Sequence, residues 1–163
     1  MVLFVDDEEN VLKALQRTFH NESYPVSFAS SGCEGLELLT RLQDVAVIVS
    51  DQRMQEMDGT EFLTRSRELA PDAVRMLLTG YSDFQAAIDA MNNGGISRYI
   101  SKPWNDKELL QLVRDAVYEY ERKLKVDFKV KNQLLANLSH ELRTPLGGVL
   151  GGLQLMEMTD LDE

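Results

Sequence analysis

The sequence predicts an α/β fold, a doubly wound parallel sheet of five strands, on three observations. Short apolar runs rich in β-branched residues recur along the first hundred residues, and helix-period stretches follow them. The run VAVIV at 45–49 is apolar throughout rather than at alternate positions. Strands separated by helices need crossover connections and are therefore parallel. An uninterrupted apolar run belongs to a strand covered on both faces.

In chain order the expected strands are Val2–Val5, Val26–Ala29, 45–49, 74–78 and 98–100, with a candidate helix after each. Turn chemistry marks the connections, at Asp58-Gly59, Pro71-Asp72 and Asn93-Gly94-Gly95. The last helix differs from the rest, because residues 104–144 contain neither glycine nor proline. Leu109, Val113, Ala116, Tyr120, Leu124, Phe128, Leu135, Leu138 and Leu142 recur mostly three or four apart, with Lys131 interrupting the stripe. That pattern is a coiled-coil seam with a discontinuity. About four turns suffice to cover a sheet of this size, so the remainder must find a partner helix or stay wet.

Composition excludes several classes. Lys and Arg number 17 against 27 Asp and Glu, a formal charge of −10. The summed field repels phosphate backbones and anionic lipid, which argues against direct nucleic-acid binding. Cys33 is the one cysteine, so no internal disulfide forms, and no Cys/His cluster has zinc-ligand spacing. The opening MVLFVDDEEN places acids where a signal peptide needs basic then apolar residues, and no apolar run approaches ~18 residues. A cytoplasmic chain without membrane insertion is expected.

In doubly wound sheets, ligands bind outside the carboxyl ends of the strands. The polar residues gather there: Asp6 and Asp7 after the first strand, Asp51 after the third, Thr79 after the fourth and Lys102 after the fifth. One aspartate at a strand end is ordinarily a solvated loop residue; an ordered set points to a site. Three converging carboxylates repel one another, and a hard divalent cation such as Mg²⁺ (or Mn²⁺) is the economical way to keep them ionised. A carboxylate can attack a phosphoryl donor while metal, lysine and hydroxyl stabilise the transferring oxygens.

The DD near the N-terminus, SDQRMQEMDG around Asp51, LLTGY around Thr79 and YISKPW around Lys102 resemble the bacterial two-component response-regulator receiver family over residues 1–118. The resemblance implies a flavodoxin-like strand order 2-1-3-4-5. It makes Asp51 the phosphoacceptor, Asp7 a direct Mg²⁺ ligand, Asp6 a ligand through water and the Arg53 backbone carbonyl a further ligand. Thr79 and Lys102 would contact the phosphoryl oxygens, with Thr79 moving on phosphorylation and Tyr99 following it inward as the aromatic switch. The alternative for Tyr99 is a half-buried strand residue with its hydroxyl in water. The resemblance also implies a cis Lys102-Pro103 peptide, and Gln55 stands where the family often has proline, which loosens the loop after the acceptor.

A second motif, FKVKNQLLANLSHELRTPL, resembles the phosphoacceptor box in the dimerisation domain of histidine kinases. By that resemblance His140 is a second phosphoacceptor. Glu141 would hold one ring nitrogen and act as base, and Thr144 would orient a water for dephosphorylating a receiver. Leu138 and Leu142 would face a bundle core while His140 looks outward. Pro145 should kink or interrupt the helix. The expected organisation is a receiver at 1–118, a helical coiled-coil linker at 119–133 and a partial dimerisation segment at 134–163.

The function implied is two-component phosphorelay signalling, as in a sensor kinase with an N-terminal receiver. Expected partners are a second copy through the C-terminal helix and a cognate histidine kinase or response regulator. An ATP lobe is absent from these residues, so the chain is expected to be a piece or remnant of a kinase that does not phosphorylate His140 by itself. The long helical stretch favours regulation through receiver pairing and helix twist over direct transfer between Asp51 and His140. The alternative is a receiver with a coiled-coil tail that acts as an adaptor, with His140 inert. A metal-dependent phosphatase on a related sheet is disfavoured, because the position where that class carries its second aspartate is Arg53.

Overall fold

The apolar runs pair into one parallel sheet built from β1 (Val2–Val5), β2 (Val26–Ala29), β3 (Val47–Asp51), β4 (Val74–Thr79) and β5 (Arg98–Ser101), in the order β2-β1-β3-β4-β5. The helices whose bounds lie among the described residues are α1 (Glu9–Phe19), α2 (Gly32–Arg41), α3 (Gly59–Leu69) and α4 (Asp106–Thr159). This computed structural model describes residues 1–80, 83, 88, 89, 92 and 95–159, with side chains as far as 147. The helix expected between β4 and β5, and the turn residues Asn93 and Gly94, fall largely or wholly outside the described residues.

The period of two along each strand divides the core. Val2, Phe4, Val47, Val49, Met76, Leu78 and Ile100 pack with Leu15 and Phe19 of α1 and with Leu109, Val113, Ala116 and Tyr120 of α4. On the other face, Leu3, Val5, Ile48 and Leu77 pack with Leu39 of α2 and with Phe62 and Leu63 of α3. Both faces are covered, which is why β1 and the Val47–Val49 stretch of β3 are apolar at consecutive positions.

Helix starts follow local chemistry. Ser31 caps α2 by accepting from Glu34 N at 3.1 Å, and Glu34 returns by accepting from Ser30 N and Oγ. Asp58 caps α3 by accepting from Glu61 N at 2.8 Å, and Asn105 Oδ1 accepts from Lys107 N at 2.9 Å ahead of α4. The far end of α3 is held by Arg75, 6% exposed, whose guanidinium donates to Ser66 Oγ and to the carbonyls of Ala70 and Ala73.

Apart from β4 and β5, which each run one residue further, through Thr79 and Ser101, two element limits differ from the sequence reading. β3 begins at Val47 and runs on through Ser50 and Asp51, because both polar residues remain in register with neighbouring strands, Ser50 opposite Leu77 and Asp51 opposite Leu78. Polarity had hidden them. The second difference is at Pro145, where α4 continues rather than stopping. Proline removes one donor there, and the exposed Glu141 carbonyl can turn to water instead, so the loss stays local.

The chain divides into two units, Met1–Glu121 and Arg122–Glu163. The first runs slightly past residue 118, because Tyr120 is 9% exposed and belongs to the core. In the second, the described residues up to 147 are solvent-exposed helix, with Phe128 67%, Leu135 53%, Leu138 46% and Leu142 62% exposed.

Candidate functional site

The sheet brings four of the expected residues together. Asp6 follows β1, Asp51 is the last residue of β3, Thr79 the last of β4, and Lys102 follows β5. Ladder bonds continue past the strand ends and aim these positions: Asp6 N donates to Ala29 O at 3.2 Å, Gln52 N to Leu78 O at 2.9 Å and Lys102 N to Thr79 O at 2.8 Å. Lys102 Nζ then reaches Asp51 Oδ1 at 2.8 Å and Asp6 Oδ2 at 3.1 Å. Carboxylate oxygens of Asp6, Asp7 and Asp51 lie within 4.8 Å of one another. The Lys102-Pro103 peptide beside them is cis, as the resemblance implies.

Electrostatics follow from this crowding. Asp6 is fully buried, and desolvation pushes its carboxyl above the usual range, with the Asp51 charge adding to the rise. The Glu8 N–H, which Asp6 Oδ1 accepts at 2.9 Å, and the Lys102 charge pull the other way without cancelling it. For Lys102, burial pulls the ammonium down, but the hydrogen bond it donates to Asp51 and the charges of Asp6 and Asp51 together hold it above its ordinary value. Lys102 therefore stays protonated at neutral pH.

Three carboxylates against one ammonium leave the pocket with an excess of negative charge. Their oxygens are all hard donors and lie within 4.8 Å of one another, close enough to share one small divalent cation. The residues fit a divalent metal.

The remaining expected residues are placed as follows. Thr79 is 2% exposed and its Oγ1 donates to Gly80 O at 3.2 Å. Tyr99, on β5, is 40% exposed. The side chain of Arg53 pairs with Asp83 at 2.7 Å. His140, Glu141 and Thr144 lie on the exposed part of α4, and Thr144 Oγ1 donates to His140 O at 3.4 Å, one turn apart. His140 falls two positions after Leu138, hence on the opposite side of the helix from the leucine stripe.

Three supports had no strong sequence signal. Gln55 N donates to Asp7 Oδ2 at 3.2 Å, fixing an otherwise exposed carboxylate. Gln52 Oε1 accepts from both N and Oγ1 of Thr60, pinning the loop after the acceptor to α3. At Gly59 a Cβ would come 2.0 Å from the Asp51 carbonyl oxygen. The Asp58-Gly59 pair reads as a turn in sequence, yet this glycine serves a close backbone approach.

Residues 2–114 match the family model of the response regulator receiver domain, more than two thirds of the chain. The chain belongs to the response regulator receiver family. Residues 130–163 of this receiver protein match the His Kinase A (phospho-acceptor) domain. Among curated relatives, the hydrogenase transcriptional regulatory protein HoxA of Cupriavidus necator is 45% identical over 116 residues, 71% of this chain and 24% of that protein. The sensor kinase CckA of Brucella abortus is 32% identical over 115 residues, 70% of this chain and 12% of that protein.

The chain thus spans about a quarter or less of the length of these relatives. Among solved structures, a signal receiver domain of an HD domain-containing protein from Pseudomonas fluorescens aligns with TM-score 0.70 and 35% identity, covering 76% of this chain and 90% of that one. A CheY-like receiver from Methanospirillum hungatei aligns with TM-score 0.68 and 28% identity, covering 75% and 96%. Receiver domains generally bind Mg²⁺ through an acidic cluster, and among the described residues Asp6, Asp7 and Asp51 form such a cluster. The pairing of a receiver with a kinase phospho-acceptor segment makes the chain a two-component signalling protein. Among the described residues no helix is long and apolar enough to cross a membrane.

Proposed function

We propose that this receiver accepts a phosphoryl group on Asp51 and that its phosphorylation state regulates the histidine-kinase helix carrying His140. The observation that carries this reading is the convergence of Asp6, Asp7, Asp51 and Lys102 at the carboxyl ends of β1, β3 and β5. Asp7 and Asp51 would hold Mg²⁺ directly, Asp6 through water, with the Arg53 carbonyl as a further ligand. The metal, when bound, supplies positive charge for the donor's phosphoryl oxygens.

The chain's own residues do the rest. Asp51 Oδ is the nucleophile, aimed by the β3 ladder and by Gly59 behind its carbonyl. Lys102 already lies at hydrogen-bond distance from Asp51, so its ammonium is in place to accompany negative charge as it moves onto the phosphoryl oxygens. The Thr79 hydroxyl needs to give up its bond to Gly80 O to reach those oxygens, and Tyr99 then moves into the space it leaves. In the helical segment His140 is the second phosphoacceptor, with Glu141 as its base and Thr144 as the water-orienting hydroxyl. The exposed leucine stripe pairs two copies of the chain. Boundaries near 118 and 133 separate receiver, linker and dimerisation segment.

Intact-mass analysis after incubation with acetyl phosphate and Mg²⁺ tests the proposal. Wild type and His140→Ala should gain one phosphoryl group, Asp51→Asn none, and EDTA should abolish the gain. Labelling that survives Asp51→Asn, or a folded, Mg²⁺-binding wild type that gains nothing, overturns it.

A further inference from the structure

In the exposed part of α4, Leu124, Phe128, Lys131, Leu135, Leu138 and Leu142 follow one another at intervals of four, three, four, three and four residues. They are successive d and a positions of one heptad register, starting with Leu124 at d, and His140 falls at f, the position farthest from the seam. All six are exposed in the single chain. The charged one, Lys131, stands in the middle of the register and makes no ion pair among the described residues. A shallow hollow on this face is lined by Leu124, Lys125, Asp127, Phe128 and Lys131. Leu124, Asp127, Phe128 and Lys131 are the d, g, a and d residues that together form the hole for an a-position knob of a facing helix. The hollow therefore fits Phe128 of a second copy, with an ammonium at its rim.

We propose that Lys131 fixes how two copies of the chain pair along this seam: parallel and in register. This rests on the reading that the leucine stripe joins two copies. In that alignment each Lys131 meets its own counterpart, so one layer of the seam is charged, and both ammonium groups extend along their apolar stems to water at its edges. Sliding one chain by a heptad sets Lys131 against Leu124 or Leu138 of the second copy instead. Antiparallel pairing opposes d positions to a positions and sets it against Phe128, Leu135 or Leu142. Every one of these alternatives has two layers in which an ammonium is pressed against an apolar side chain. Desolvating a charge that has no counterion is the costlier arrangement, so the single charged layer prevails. Lys131 thereby selects the alignment while weakening the seam, as a lone polar core residue does in other coiled coils. The alignment it selects brings both His140 side chains to one level.

The experiment uses the full chain with Cys33→Ser and Leu124→Cys, so that position 124 carries the one thiol. Parallel helices in register bring the two thiols within disulfide reach, whereas a one-heptad slide separates them by about 10 Å and antiparallel pairing by more. The disulfide-linked fraction is measured by intact mass after equilibration in a glutathione buffer. Dimer dissociation constants come from sedimentation equilibrium of chains that keep Leu124. With Lys131 the linked form should predominate. Lys131→Leu should tighten the dimer at least about tenfold, yet lower the linked fraction at least about twofold as the other alignments fill. Lys131→Gln keeps a single polar layer without the charge, so it should link as Lys131 does while tightening the dimer about threefold to tenfold. Lys131 is exposed and outside the receiver core, and matching denaturation curves check that each variant is folded. If the chain dimerises but linking stays complete in Lys131→Leu, or falls equally in Lys131→Gln, the alignment role is overturned alone. If wild type stays monomeric up to about 100 µM, the dimer reading falls and this role with it.

Discussion

Replacing Gly59 by alanine puts a methyl carbon 2.0 Å from the Asp51 carbonyl oxygen, 2.8 Å from its carbonyl carbon and 2.9 Å from Leu77 Cδ1. Two of those atoms belong to the backbone of a central strand that is hydrogen-bonded on both sides and cannot yield as a side chain does. The start of α3 must therefore retreat by about 1 Å to reach tolerable contact. Retreat stretches the bond from Gly59 N to Gln52 O, now 3.0 Å, and loosens the loop between acceptor and helix. Overpacking of this kind costs about 1–3 kcal/mol and the weakened hydrogen bond about 1 kcal/mol, while alanine in a helix returns about 1 kcal/mol. The net loss is about 1–3 kcal/mol.

Urea denaturation followed by the fluorescence of Trp104, the single tryptophan, which packs against the core, reads the loss directly. The control is Gly80→Ala, where an added Cβ meets nothing within 4 Å and the change should stay within about 0.5 kcal/mol. Gly59→Ala should also slow acetyl phosphate labelling, because the acceptor's own carbonyl is displaced. Equal denaturation midpoints for the two alanine variants would refute the close-approach reasoning.

Glu22, its side chain 7% exposed, accepts from Arg114 Nη2 at 2.6 Å and Nε at 3.0 Å, and that hydrogen bonding holds its carboxyl below the usual range. A depressed carboxyl pKa stabilises fully above the unfolded value of ~4.3 and loses its contribution as pH falls through the lower folded value. The acid limb of a stability-against-pH curve should therefore be shallower in Glu22→Gln; superimposable limbs would contradict the pairing. Ser66→Ala removes the acceptor for Arg75 Nε at 3.0 Å inside the core and should cost about 1–3 kcal/mol in chemical denaturation. Leu138→Asp with Leu142→Asp should convert a dimer to a monomer in sedimentation equilibrium at about 10 µM, since each leucine buried at a helix interface is worth ~2 kcal/mol. A dimer that persists would place the interface elsewhere.

Sheet composition and strand sites were legible in the sequence because they depend on local pattern. The runs at Val2–Val5 and Val26–Ala29 coincide with β1 and β2; β1 is apolar throughout because both its faces are buried, while the half-buried edge strand β2 tolerates Ser27. Asp6, Asp7, Asp51, Thr79 and Lys102 could be singled out because each stands at the end of such a run. The long helix was legible from the lack of glycine and proline, although its passage through Pro145 was not, because one missing donor at an exposed site is a local loss. Ser50 and Asp51 looked like loop residues and proved to be strand, their register set by partners on β4.

The tertiary structure alone decided what depends on distance between segments far apart in the chain. Lys102 reaches across to Asp6, and Arg53 finds Asp83 rather than solvent. Gly59 lies against the back of Asp51, and Arg114 of α4 closes on Glu22. Residue order determines periodicity, charge and chemical type, all of which are read within a few positions. Contacts between charges or backbones are set by which strands lie side by side, and that arrangement exists only once the hydrophobic faces have been buried together.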